Sequence, residues 1–153
     1  MAKISVDIPL AELTVRKYEK PSGDSRRELV RKLCLSLGLL QPGDSRDVVV
    51  DVLHVLLEAE KPFTSVEVER AVIEKRKEAG LELLGIAPSN IRRQLLRLRD
   101  IFLAEKLKNT YRIREHTSIR EIFEENIEKY YLSSILTRVK EYIDEIDTQF
   151  SLK

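Results

Sequence analysis

Apolar residues recur along this chain with two spacings. Between Lys3 and Leu10 they alternate as Ile4, Val6 and Ile8, the period of a short strand. Leu13 to Tyr18 reads as a second extended piece, ended by the turn Pro21-Ser22-Gly23. The spacing then changes to three and four. Ser25 and Glu28 stand at capping-box separation and open a helix that ends near Gly38, with Leu29, Val30, Leu33 and Leu37 as its apolar set. After the break Gln41-Pro42-Gly43, Asp44 is expected to cap a helix running to about Glu60, apolar on most sides. Lys61-Pro62-Phe63 interrupts again. Thr64 with Glu67 is a second capping pair, for a helix to about Ala79 with Gly80 as its stop. A third helix starts at Ser89 or Asn90, and Ile91, Leu95, Leu98 and Phe102 share one face of its wheel. Ile101 to Lys106 and Thr110 to Arg114 alternate as two strands. Leu107-Lys108-Asn109 connects them, with Asn109 suited to left-handed turn geometry.

The last segment has a different rhythm. Ser118 and Glu121 form a third capping pair, and neither Pro nor Gly follows as far as Phe150. Leu132, Leu136, Val139, Ile143, Ile146 and Phe150 are spaced 4-3-4-3-4, the seam of a two-helix pair. Ile119, Phe123, Ile127 and Tyr130 keep a shifted stripe, so a bend or break is expected near Tyr130-Tyr131. The six seam residues are read as a dimer interface. The competing reading folds this helix back on its own domain.

Composition narrows the class. With 153 residues and 42% hydrophobic content, the chain is one domain, or a domain with an appendage, with enough apolar surface for a core. Its single cysteine, Cys34, lies in an apolar helical run, which gives no disulfide and no zinc spacing and fits a reducing compartment. No signal-peptide pattern and no apolar run near the ~20 residues of a membrane helix is seen, so a cytoplasmic protein without a membrane partner is expected. Abundant Glu, Lys and Arg with few Asn, Gln, Met and Cys suit a protein built for heat.

The signs of catalysis are missing from the sequence. His54 and His116 are the only histidines, and His54 sits in the most apolar helix, where a packed core or interface role is the default. There is no phosphate-binding glycine loop, no nucleophile elbow and no metal-ligand spacing. The expectation is a non-enzyme without metal or cofactor.

Charge changes the picture most. The total is +1, but residues 1–43 carry +3, residues 44–90 carry −4, residues 91–114 carry +6 and residues 115–153 carry −4. Eight Lys or Arg against Asp100 and Glu105 make the basic block. A concentration of this kind needs a solvated surface, and a phosphate backbone is its commonest partner. Arg26, Arg27, Arg31 and Lys32 on the first helix either extend that footprint or form an ordinary solvated face. Leu96, apolar yet near the exposed side, either meets a thymine methyl or packs on a neighbouring helix.

Helix, helix, helix and then a basic hairpin is the order of the winged helix-turn-helix. Leu84 to Leu98, with Gly85-Ile86 and Ser89 leading into a helix with basic outer positions, resembles the turn and recognition helix of that superfamily. Tyr111-Arg112-Ile113 resembles its second wing strand. The resemblance covers Asp44 to Arg114. Ile73 to Leu84 exceed a minimal motif, and must extend the second helix or form a loop. The resemblance implies a mainly α fold with a small β-hairpin wing. Its domains would be an N-terminal extension (1–43), a winged helix-turn-helix domain (44–114) and a C-terminal helical dimerisation segment (115–153). It also implies that Ser89, Asn90, Arg92, Arg93, Gln94 and Arg97 face the major groove or its phosphates. Lys106, Lys108, Asn109, Arg112 and Arg114 would then lie along the backbone or minor groove.

The function expected on this basis is a homodimeric regulator of transcription, of a kind common in archaea and bacteria, that binds duplex DNA through helix 89–100 and wing 101–114. The rival is a winged-helix protein-interaction or scaffold module of a replication, transcription or chromosome assembly. Binding of RNA or single strands is disfavoured by the scarcity of aromatic stacking platforms, Phe102 and Tyr111 alone standing in the basic region.

Overall fold

A computed structural model describes residues 6–152. The protein is mainly helical with a small three-stranded antiparallel sheet. Its elements are α1 (Arg26–Ser36), α2 (Val48–Glu58), β1 (Phe63–Thr64), α3 (Ser65–Glu78), α4 (Pro88–Asp100), β2 (Ala104–Leu107) and β3 (Thr110–Ile113). A single 3-10 turn (Arg114–His116) leads to α5 (Ile119–Ile122), a π-helical stretch (Phe123–Leu132) and α6 (Ser133–Gln149).

Over the described residues of the N-terminal strand expected from the alternation, Val6 to Leu10, no strand is formed. Lys3 to Ser5 lie outside the described residues. Val6 is helical, Asp7 lies in a turn, Ile8 and Leu10 in bends, and Val6, Ile8 and Leu10 are exposed. A strand needs an edge to pair with, and the alternation meets none here. Leu13 to Tyr18 are extended but unpaired. They are held by Arg16, whose backbone N–H donates to Ser36 O (2.8 Å) and whose guanidinium donates to Leu35 O (2.7 Å) and Leu40 O (3.2 Å). A cation thus satisfies carbonyls that the end of α1 leaves open.

Local chemistry sets most helix ends. Ser25 Oγ accepts the Glu28 N–H (3.2 Å) at the start of α1. At its end Leu39 N bonds Cys34 O (2.9 Å) and Gly38 N bonds Leu35 O (3.3 Å), the double bond pattern that needs a left-handed residue, here Gly38 at φ +72°. Any β-carbon there would stand 2.5 Å from Thr14 Cβ, so Gly38 also admits the extended segment. Thr64 and Glu67 form the full reciprocal box, at 3.2 and 2.8 Å. Asp44 is not the cap of α2. It accepts the Arg46 N–H (2.9 Å) in a turn, and the cap position falls to Asp47. Asp47 makes no side-chain cap bond, because its carboxylate is turned to Arg27 and Arg76.

One core joins α1 to the β-hairpin. Cys34, Val50, Val52, Leu53, Val68, Val72, Ile91, Leu95, Leu98 and Leu103 are all fully buried in it. His54 is buried as well, its Nε2 3.2 Å from Glu58 Oε2. Across this core runs an ion cluster that no local pattern announces. Arg76 meets Asp51 (2.6 Å) and Asp47 (3.2 Å), and also donates to Glu82 O (2.7 Å). Arg27 meets Asp51 (3.2 Å) and Asp47 (3.0 Å). Two guanidiniums and two carboxylates therefore tie α1, α2, α3 and the loop before α4 together.

The sheet order is β1-β3-β2, with Phe63 opposite Tyr111 and Lys106 opposite Tyr111 on the other side. The turn is two residues, Lys108-Asn109, and Lys108 rather than Asn109 takes the positive φ, +56°. α4 stops at Asp100, so Phe102 leaves the helical face it was expected to share. It turns left-handed (φ +68°) and sets its ring edge-on to Tyr130 and Tyr131, 6.2 and 5.9 Å away. The C-terminal helix does not break at those tyrosines. It widens into π-helical turns, and its junction residues Phe123 and Ser133 stay in right-handed helical geometry. Ile122 and Ile127 are buried against the core, while no residue of α6 is buried.

Candidate nucleic-acid interface

α4 begins with Pro88 at a position where its missing N–H costs nothing. Its inner face is Ile91, Gln94, Leu95 and Leu98, all buried. Burying that face turns Ser89, Arg92, Arg93, Leu96 and Arg99 outward, and all five are exposed. Leu96 is 49% exposed.

The flank of α4 is occupied by a hydrogen-bonded relay. Asn90 Nδ2 donates to Gly85 O (2.7 Å), Gln94 Nε2 donates to Asn90 Oδ1 (3.0 Å), and Arg97 donates to Gln94 Oε1 (2.7 Å) and Leu39 O (2.6 Å). Three of the six residues named on this helix therefore brace it against its preceding turn and against the end of α1. Their polar groups already have partners within the chain, and Gln94 is buried. Ser89, Arg92 and Arg93 are open to solvent and make no side-chain hydrogen bond or ion pair among the described residues.

Three residues separate the hairpin from α4, and it carries the other half of the basic block. Arg112 is held across the strands by Glu105 at 2.6 Å. Burial pushes the Glu105 pKa up, but the Glu115 backbone N–H (3.0 Å) and the Arg112 guanidinium bring it below the usual carboxylate range. Arg114, half-buried at the base of β3, adds its charge to that effect without a direct bond. Lys106 stands over the Tyr111 ring, 5.7 Å from its centroid. Lys108 and Asn109 are exposed at the tip.

Within α4 and the hairpin, the exposed basic groups without a carboxylate partner among the described residues are thus Arg92, Arg93, Arg99, Lys106 and Lys108. Arg99 is not among the site residues expected from sequence. Arg46 was missed too. It lines, with Arg93, a cleft of about 640 Å³ between residues 44–49 and the start of α4. No sequence pattern joins positions so far apart.

The cations of α1 stand differently. Arg26 pairs with Glu58 (3.2 Å), Arg31 with Glu28 (3.6 Å), Lys32 with Glu19, and Arg27 belongs to the ion cluster. Their charge is spent inside the fold.

Cys34 is fully buried, and burial pushes its thiol up to about 12, so it is held as an inert thiol. Among the described residues no helix is long and apolar enough to cross a membrane, and no three His, Cys, Asp or Glu side chains gather as metal ligands. Family models, curated proteins and solved structures yield no match to this chain.

Proposed function

We propose that the protein is a DNA-binding transcriptional regulator with a winged helix-turn-helix core, presenting α4 and the β2–β3 hairpin to duplex DNA as a homodimer. The observation that carries this reading is that α4 and the hairpin hold five exposed cations, Arg92, Arg93, Arg99, Lys106 and Lys108, free of carboxylates among the described residues. The element order supports it. Helix, short strand, helix, helix and hairpin stand in sequence, and β1 pins the hairpin beside the helices through β3. The relay of Asn90, Gln94 and Arg97 supports it in another way, by making α4 a rigid platform for Arg92 and Arg93.

Arginine suits this position because its planar fork holds two acceptors on a phosphate or a guanine edge. Phosphate neutralisation by the five cations supplies most of the affinity, and a base contact from Arg92 or Arg93 adds about 1–3 kcal/mol of discrimination. The rival reading, a protein-interaction module on the same fold, draws on exposed Leu96 in the middle of the basic face.

Duplex binding as a function of salt separates the two. With about five neutralised phosphates, affinity for random duplex should fall roughly 10²–10³-fold between 50 and 200 mM salt. Lys108→Ala should lower affinity for every sequence and reduce the slope by about 0.9. Arg93→Ala should weaken binding most on a preferred site. Absence of binding at micromolar protein and low salt, or binding indifferent to salt, overturns the reading in favour of the interaction module.

A further inference from the structure

No residue of α6 is buried, so its apolar stripe stands open to solvent among the described residues. Leu136, Val139, Ile143 and Ile146 are each 49% exposed and Phe150 is 72% exposed. Their 3-4-3-4 spacing keeps one seam turned to a second helix. Charge along α6 is one-sided. Arg138 and Lys140 lie in its first half, and Asp144, Glu145 and Asp147 in its second. Arg138 is bonded to Glu141 in its own chain (2.9 Å). Lys140 and Asp147 stand one heptad apart on the same edge of the seam, and neither has an ion partner among the described residues.

We propose that α6 pairs with α6 of a second copy of the chain in antiparallel orientation, Lys140 of each copy facing the partner's Asp147. This rests on the homodimer of the reading above and adds its orientation and the contacts that set it. Parallel helices would place the acidic halves side by side and leave Lys140 opposite the uncharged edge of Ile135 and Tyr142. Antiparallel helices bring the edge of Lys140 and Asp147 onto itself, giving two ion pairs about a two-fold axis. The opposite edge, with Tyr142 and Gln149, then also meets itself and holds no charge to repel. The seam closes with Ile143 on the partner's Ile146, twice, at the centre. Opposed helix dipoles favour the same orientation.

Sedimentation equilibrium and light scattering on the full chain test this. The wild type should have twice the 17.8 kDa chain mass, and Ile143→Asp should be monomeric with an unchanged far-ultraviolet spectrum. Lys140→Asp and Asp147→Lys should each weaken the dimer about tenfold, and the double exchange should restore it to within about threefold. A wild-type monomer at about 100 µM overturns the pairing, whether or not α6 then binds a lipid vesicle or another protein. So does a dimer indifferent to Ile143→Asp. A double exchange weaker than either single reversal overturns the antiparallel orientation. Duplex titrations on the same samples keep the two readings apart. A monomer that binds duplex refutes only the pairing, and a dimer that ignores duplex refutes only the DNA reading.

Discussion

Arg76 is 4% exposed and Asp51 1%, so their 2.6 Å contact is an ion pair removed from water. Such a pair adds little over a well-packed apolar pair, but breaking it is costly because one charge stays buried alone. Arg76→Ala leaves Asp51 with Arg27 only and releases Glu82 O as well. The expected loss is about 3–5 kcal/mol, read from chemical unfolding. A loss below about 1 kcal/mol would mean that water or Arg27 replaces the contact. Glu58 gives a pH-dependent counterpart. It accepts from Lys75, Arg26 and His54, and the Lys75 bond foremost holds its pKa at about 2 against an ordinary 4.5. A depressed carboxylate stabilises the fold above its unfolded value and loses that contribution as pH falls from about 4.5 to about 2. Glu58→Gln should therefore lower stability at neutral pH and flatten its decline across that window. An unchanged acid-unfolding profile would count against the assignment. None of these contacts was legible in the sequence. Asp51 stands in an apolar run and Arg76 among other charges, 25 positions apart, so the pair forms only when α2 and α3 pack.

At the scale of elements, legibility followed the range of the deciding interaction. The cap pairs Ser25–Glu28, Thr64–Glu67 and Ser118–Glu121 act over three residues, and each shows the expected bond to the later N–H. Ile91, Leu95 and Leu98 on the inner face of α4 followed from helical spacing, whereas Phe102, expected beside them, lies past the helix end and Gln94, expected to face outward, is buried there. The strand near the N-terminus did not, because pairing depends on a distant edge. Asp44 and Asp47 are equally good caps by composition, and the ion cluster, invisible from sequence, decided their roles. Among the basic residues the sequence did not separate those held within the fold from those left open to solvent. Arg97 and Arg112 are bound within the fold, whereas Arg92, Arg93 and Lys108 stand free. Thr64 gives a direct check on capping. It ends β1, caps α3 and completes the reciprocal box, so Thr64→Ala should cost about 1–2 kcal/mol, toward the upper end of the range for single caps. Ser25→Ala has one bond to lose and should cost less. Equal losses in thermal unfolding would show that the second bond of the box contributes nothing.

For the whole molecule, stability and assembly are divided between different parts of the chain. The core closes at Ile122 and Ile127, and α6 extends 17 residues beyond the π-helical stretch, about 26 Å of helix with no buried side chain. Apolar surface stabilises a fold only where it leaves water, so α6 contributes almost nothing to the monomer. If it pairs with a second copy, its contribution appears as concentration-dependent stability and, on the proposed DNA reading, as a second basic face held near the first. Removing residues 133–153 should then leave the unfolding temperature, extrapolated to low concentration, within about 2 °C of the full chain. Twofold mass should be lost, and affinity for a duplex long enough to meet both faces should fall by at least about 10²-fold. Affinity for a short duplex that meets only one face should hardly change. A truncated chain that unfolds much earlier would instead make α6 part of the fold. Equal loss on short and long duplex would mean that α6 acts on the basic face itself and not through a second copy.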